Sequence, residues 1–367
     1  MPETARWPLA PDPPPSGEGT YYTYRSAEPE TIPLPPKSKP TLTDITTGSF
    51  EDSSQRELHP SRLNHEVIVV RTEYSTHTEV WNVLTRKELG ELDLPTGLYL
   101  TEATLDGRYV MRWKEKPEMT VYDTQSGSAI GTVDYPQRSV EGVVALPDRR
   151  VAILGYPRNT FKDKGGHVEV RELPSLEVKS RYESTTGLQG HLDCSPGGKY
   201  AAFEHTEVHP KEIKDLSNHL RIVDLSSGQL LHSAVLGPQG EAEVFAVSFS
   251  PDGMELGVFL SDTNMQTARI TVWDLKTGAT IDYDVPARLG GEAQRQGYRK
   301  LVLQWLPDQQ GWLLLDQYLL FRKRGRQGIQ LSQPGLVLGN QLLLRNPKDK
   351  GSSLVRGPID WSKPSGR

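Results

Sequence analysis

The stretch TARITVWDLKTGATI, residues 267–281, reads as one β-hairpin. Ile270 and Val272 alternate with Arg269, Thr271 and Trp273 up to Asp274, a short polar turn carrying Gly278 follows, and a second extended run begins beyond it. Period-two alternation is the pattern of a strand with one buried face. Gly supplies the positive φ that a short hairpin connection needs. Asp274, at the strand end, can accept hydrogen bonds from the turn amides and so hold the loop.

The phrase recurs. Aligned on Trp273-Asp274, it reappears as Trp81-Asn82 in TEVWNVLTRKEL, Tyr122-Asp123 in MTVYDTQSGSAI, Arg171-Glu172 in VEVRELPSLEV, Val223-Asp224 in LRIVDLSSGQLL and Phe321-Arg322 in LLFRKRGRQGI, at intervals of 41, 49, 52, 50 and 48 residues. A second phrase precedes each copy: VSFSPDGMELGVFL (247–260), LDCSPGGKYAAFE (192–204), EATLDGRYVMRW (102–113), VVALPDRRVAIL (143–154), LQWLPDQQGWLLL (303–315) and the weaker ELHPSRLNHEVIVV (57–70). Each is strand, Pro/Asp/Gly turn, strand: Pro presets φ, Asp bonds back to the backbone, and Gly takes positive φ. Two hairpins per period give four strands. Four-stranded units at a period of roughly 40–50 residues predict a β-propeller, and the alternation with dense turns excludes a helical solenoid.

These residues resemble the WD-repeat propeller family. The likeness covers roughly residues 50–332 and is most specific from Ser250-Pro251-Asp252-Gly253 to Trp273-Asp274. The resemblance is to a divergent, WD-like member. The family's upstream Gly-His pair is represented only by Gly190-His191, four residues before Ser195, so the family's buried polar network is not carried over.

The fold class expected is all-β, a single propeller with seven blades favoured. The C-terminal GLVLGNQLLLRN (335–346) supplies two strands of the last blade, and the arm near 20–35 supplies its outer strand. A six-bladed ring, with the C-terminal strands completing the first blade, is the alternative. The domain reading is a Pro-rich arm over 1–45, the propeller over 46–346 and a basic tail over 347–367. Residues 1–40 hold 11 of the 28 prolines, which favours an extended arm.

The formal net charge of −5 argues against a general nucleic-acid binder, although from Leu319 onward there are 10 Lys/Arg against 2 Asp/Glu. One cysteine, Cys194, excludes an internal disulfide and reads as a small apolar strand residue. No stretch approaches the ~18 apolar residues that cross a bilayer. A cytoplasmic location is favoured over a soluble part of an anchored or exported protein, and the chain is expected to be a monomer.

Catalytic signatures are missing: no G-x-S-x-G, H-E-x-x-H, phosphate loop or dinucleotide fingerprint. EHTEVHPKEIKDLSNH, Glu204 to His219, gathers His205, His209 and His219, but Pro210 and the lack of a helix pattern separate them, so it reads as a long polar loop with no metal. No cofactor is expected. Trp81, Trp273 and Trp305 fall at repeat positions and are read as packing residues.

Three links are informative: YPRNTFKDKGG (156–166), the 204–219 segment and SDTNMQT (261–267). All join the second and third strands of a blade and so emerge on one face, and loops that lengthen on one face mark the binding side of a repeat array. Tyr156, Arg158, Phe161, His205, His209, Asp262 and Asn264 are therefore the candidate contacts for a protein or peptide partner. The expected function is a noncatalytic interaction or scaffold module. The alternatives are a ligand-binding, hydrolytic or lyase propeller using the central channel, or a sensor domain of a larger protein. Innermost phrases such as AVSFS, VVAL and LDCS are mostly apolar, which weighs against channel chemistry.

Overall fold

The computed structural model describes residues 30–32, 56–63, 66–72, 76–83, 85, 87–95, 100–113, 117–135, 138–157, 165–184, 188–208, 216–236, 242–262, 264–296, 303–306, 309–322, 328–331, 335–338, 341–345 and 354–357. An isolated strand, β1 (Glu30–Ile32), comes first. The first sheet is β2 (Arg56–Pro60), β3 (Val67–Thr72), β4 (His77–Asn82) and β5 (Lys87–Asp93); the second is β6 (Leu100–Ala103), β7 (Tyr109–Trp113), β8 (Glu118–Asp123) and β9 (Ser128–Asp134). The third is β10 (Arg138–Leu146), β11 (Arg150–Pro157), β12 (His167–Glu172) and β13 (Val178–Glu183); the fourth is β14 (Leu188–Cys194), β15 (Tyr200–Val208), β16 (Leu216–Asp224) and β17 (Gln229–Val235). The fifth is β18 (Ala242–Phe249), β19 (Glu255–Asp262), β20 (Ala268–Asp274) and β21 (Thr280–Val285), followed by helix α1 (Ala287–Gln296). The sixth is β22 (Leu303–Trp305), β23 (Gly311–Leu314), β24 (Tyr318–Phe321) and β25 (Ile329–Leu331), and the last is β26 (Gly335–Leu338), β27 (Gln341–Arg345) and β28 (Leu354–Gly357).

Apart from β1, the strands of each sheet pair in chain order and antiparallel. The six aligned phrases lie on β4, β8, β12, β16, β20 and β24, the third strand of six successive sheets. Antiparallel order also fixes two faces. Turns between first and second, and third and fourth, strands leave on a turn face; links between second and third strands, and between sheets, leave on a link face.

The turn chemistry is as the sequence implies. Asp123, Asp224 and Asp274 each accept a 2.8 Å hydrogen bond from the amide two residues on, at Gln125, Ser226 and Lys276. The closing glycines Gly127, Gly228 and Gly278 sit at φ 69°, 71° and 74°. In the upstream turn, Gly107, Gly198 and Gly253 sit at φ 68°, 65° and 71°. These turns hold a left-handed backbone that residues with a Cβ avoid.

A separate apolar cluster fills the space between each successive pair of sheets. Val69, Val80 and Leu92 face Ala103 and Val110 between the first and second. Met111 and Val121 face Val143 and Ile153 between the second and third. Leu154 and Val168 face Phe203 and Val223 between the third and fourth, and Leu220 and Ile222 face Val247 and Val258 between the fourth and fifth. Phe259 and Ile270 meet Trp305 and Trp312 next, and Leu313 and Phe321 meet Val337 at the end. Each large side chain buried in this way stabilises the fold by roughly 1.5–3 kcal/mol. The result is an all-β repeat of four-stranded antiparallel sheets stacked in chain order, propeller-like, with first strands innermost.

Three polar side chains fasten these innermost strands to one another. Glu102 on β6 takes a backbone hydrogen bond from Ala145 on β10. Asp193 on β14 accepts Phe249 N–H of β18 at 2.7 Å, and Gln304 on β22 accepts Val337 N–H of β26 at 2.9 Å. In the repeat alignment the three acceptors are equivalent, and so are the donors Ala145 and Phe249.

The turn after β2 shows that the stack curves. Arg62 donates its backbone N–H to Glu102 Oε1 at 3.0 Å and its Nη1 to Leu192 O at 3.1 Å. Leu63 packs against the cluster between the third and fourth sheets. In a straight stack with ~10 Å between sheets, strand β14 would lie far beyond the reach of one side chain from the first sheet. The innermost strands therefore follow a curve that brings the turn after β2 to strand β14.

Three details differ from expectation. The arm strand β1 pairs parallel with β25, Glu30 opposite Ile329, and so extends the sixth sheet to five strands instead of joining residues 335–346. Strand β26 is the inner strand of its sheet, beside β22, and has no outer edge to offer. The outer edge belongs to β28, formed by Leu354–Gly357 from the segment read as tail. The first sheet has four strands of its own, and β26–β28 form a sheet apart from it.

Candidate functional site

The lengthened links leave the link face of the third, fourth and fifth sheets, as expected. Tyr156, the penultimate residue of β11, is half-buried opposite Ser139. Asp262 ends β19 and organises the shortest link. Its carboxylate accepts Gln266 N–H at 2.8 Å, Thr267 N–H at 3.1 Å and the Thr267 hydroxyl at 2.8 Å, which hold its pKa below the usual carboxylate range. The acid is thus already committed within the link. Asn264 is exposed at its tip. Arg158, Phe161 and His209 lie outside the described residues.

His205 is not in a loop. Strands β15 and β16 form a long hairpin in which His205 pairs directly with His219. The side chain of His205 is fully buried, 6.5 Å from the His219 ring, and burial beside Arg221 and His219 pushes its pKa down to about 3. It is a neutral core histidine. The segment read as one long loop contributes only 209–215 between its strands. Among the described residues, no group of acids, histidines and cysteines is arranged to hold a metal.

Sequence reasoning missed a buried charged cluster at the link-face end of the third sheet. His167, Glu169 and Arg171 alternate along β12, facing the second sheet. Glu169 is fully buried; Arg171 Nε reaches its Oε1 at 2.5 Å, Arg181 Nη1 its Oε2 at 3.5 Å, and Tyr135 donates its hydroxyl to it. His167 is also fully buried, close against Gly155, where a Cβ would lie 1.9 Å from its ring. Arg138 donates to His167 Nδ1, fixing the proton of the neutral ring on Nε2. Burial and the positive charge of Arg181, Arg138 and Arg171 push the His167 pKa down to about 3. At the surface, Glu183 Oε1 meets Arg181 at 2.6 Å and Arg138 at 3.6 Å.

A second cluster missed from sequence lies along the innermost strands. Glu102 is 1% exposed, and burial, opposed by Arg62, raises its pKa to about 8. Burial raises Asp193 to about 7 against the hydrogen bonds it accepts from Phe249 and Cys194. The Cys194 thiol is buried and its pKa is pushed well up, which leaves it protonated and unreactive. Nearer the link face, the innermost strands of the third, fourth and fifth sheets each carry a bulge, at Glu141, at His191-Leu192 and at Phe245. His191 takes φ 49° there; its Nε2 lies 3.8 Å from Glu204 Oε2. Burial, with the charge of Arg62, lowers His191 to about 4, and burial beside Glu243 raises Glu204 to about 8. The signal was one polar residue inside an apolar phrase, as Asp193 in LDCS, which gives no hint of its distant partners.

No protein-family model matches the chain, and no curated protein is significantly similar to it. Among solved structures, hydrazine synthase of Kuenenia stuttgartiensis superposes with a TM-score of 0.46 at 15% identity, covering 66% of this chain and 68% of that one. A likeness at this level says nothing about chemistry.

Proposed function

We propose that this chain is a noncatalytic, WD-like interaction module, one seven-bladed propeller whose link face docks a protein or peptide partner. The observation that carries the reading is the placement of the lengthened links. Three consecutive sheets extend their second-to-third connections on one face, where the Asp262 hydrogen bonds and the half-buried Tyr156 give them a firm base. Seven sheets in chain order, the last completed by β28, support the blade number. A monomer in the cytoplasm, without cofactor or nucleic acid, completes the proposal; no helix of the described residues is long and apolar enough to cross a membrane.

The decisive experiment is capture of partners by the tagged full-length protein from its native cell. Comparison with the Tyr156→Ala, Arg158→Ala, Phe161→Ala triple variant should show loss of a partner at ~1–3 kcal/mol per anchor. A partner retained undiminished would place binding elsewhere.

A second reading has one observation in its favour. Arg62, Glu102, His191 and Asp193 do converge on the axis, as channel chemistry would require. Against it, Glu102 and Asp193 accept backbone amides of the next sheet, a role that structure alone explains. If Asp193→Asn and His191→Gln left a discovered turnover intact, the channel reading would fail.

A further inference from the structure

We infer that Arg138 and Arg181 form a preset clamp for an acidic side chain of the partner peptide, and that Glu183 occupies this clamp in the free protein. The inference rests on the link face being the docking side and adds the chemistry of what docks there.

The clamp is set from beneath. A surface arginine ordinarily samples many rotamers, and fixing it costs up to about 2 kcal/mol of side-chain entropy. Here both guanidinium groups have buried partners. Arg138 rests on the Nδ1 of His167, and Arg181 on the Oε2 of Glu169. His167 and Glu169 are themselves locked by burial, with Tyr135 and Arg171 on the remaining carboxylate oxygen. The arginines nevertheless keep one side in water, with side chains 27% and 37% exposed. Both point at the same atom, Oε1 of Glu183, and that residue is the most exposed of the group at 54%. The arrangement is two oriented forks around one displaceable carboxylate.

The position fits the docking face. Glu183 ends β13, Arg138 begins β10 and His167 begins β12, all at the link-face end of the third sheet. Ser139, next to Arg138, pairs with Tyr156. Three arginines against Glu169 and Glu183 leave the cluster with one excess positive charge, so an incoming acid is favoured and a basic segment is not. Planar forks match a carboxylate better than two point charges would.

A fluorescein-labelled hexaglutamate peptide, with hexaglutamine as the neutral control, tests this by fluorescence anisotropy on the full-length protein at low ionic strength. Hexaglutamate should bind and hexaglutamine should not. Glu183→Gln removes the internal competitor and should tighten binding about two- to five-fold, the range of one exposed ion pair. Glu177→Gln adds the same charge on the same sheet, beside Lys179, and should leave affinity unchanged. Arg138→Gln should weaken binding about ten-fold, the size of a charge-assisted hydrogen bond. Arg181→Lys keeps the charge above buried Glu169, protects the fold and should still weaken binding several-fold through loss of the fork. Equal gains from Glu183→Gln and Glu177→Gln, or wild-type affinity in Arg138→Gln and Arg181→Lys, would overturn the clamp. Should the clamp fail while the Tyr156, Arg158, Phe161 triple variant still loses its partner, the face stands and only the acidic chemistry is wrong.

Discussion

Glu102 poses a question of charge that one substitution answers. It lies 1% exposed on an innermost strand, near an arginine, and could be read as half of an ion pair. The geometry says otherwise: Arg62 gives Glu102 its backbone N–H, while its Nη1 turns to the Leu192 carbonyl. Burial then outweighs attraction and moves the carboxyl from 4.5 to about 8, a preference for the protonated form of roughly 5 kcal/mol. Because the folded value is the higher one, the unfolded chain releases this proton first. Stability from this group is full below about pH 4.5 and is lost as pH rises to about 8, at about 1.4 kcal/mol per pH unit. Between pH 5 and pH 7 that is a loss of roughly 3 kcal/mol. Glu102→Gln keeps the acceptor for both amides and removes the titration. Urea denaturation followed by tryptophan fluorescence at pH 5, 6, 7 and 8 should show the variant gaining on the wild type at each step. Comparing the two proteins cancels the shared contributions of Asp193, Glu204 and the buried histidines. Parallel profiles would mean that Glu102 is ionised in the native protein and that the Arg62 charge, not burial, governs it.

Further perturbations address other parts of the structure. Gly155→Ala should destabilise by ~1–3 kcal/mol or more, because the new methyl overlaps the buried His167 ring; an unchanged urea midpoint would show that the ring has room to move. Arg322 donates to Glu255 at 2.5 and 3.0 Å and lies 5.6, 5.9 and 6.0 Å from the Tyr283, Trp305 and Trp312 rings, joining the fifth and sixth sheets. Arg322→Met and Glu255→Gln should each cost ~1–3 kcal/mol, and a double-mutant cycle should find them coupled; strict additivity would deny the latch. Deleting residues 1–40 strips β1 from the edge of β25 and should lower the melting temperature, whereas deleting 1–15 should be silent. Equal melting of the two truncations would show that the β1–β25 pairing contributes nothing.

What could be read from the sequence was whatever is local. The Asp274 phrase carries its own turn, so its strands and its positive-φ glycine follow from a handful of neighbouring residues. The equal placement of three links follows from counting strands. Helix α1 is hidden because its apolar face is short: Leu289 and Ala293, one turn apart, join the cluster that holds Ala268, and apart from Ala287 the remaining positions are polar or glycine. His205 reads as a loop residue only when polarity is equated with exposure. Its alternation with the half-buried Glu204, in register with Phe203, was the better guide. The axial acids and the His167–Glu169 cluster were hidden for a different reason. The axial acids find partners tens of residues away on other sheets, as Phe249 is from Asp193, 56 residues distant, while His167 and Glu169 meet Arg138 and Arg181 from other strands of their own sheet. Nor does the sequence mark Glu30–Ile32 for one sheet edge over another, since a three-residue strand carries little register information.

The hydrogen bond from Arg62 to Leu192 joins residues 130 apart in the chain. During synthesis at roughly 5–20 residues per second, the first sheet would therefore emerge roughly 6–26 seconds before the strand its turn must touch. Through that interval the turn has no native partner for Nη1 or for Leu63, and the early sheets can associate only through their own junctions. Completion of the fourth sheet then fixes the beginning of the chain to its middle, well before the C-terminal strands exist. A nascent chain stalled far enough beyond residue 235 for the whole fourth sheet to have left the ribosome should accordingly protect residues 61–63 from proteolysis, and one stalled before residue 188 should not.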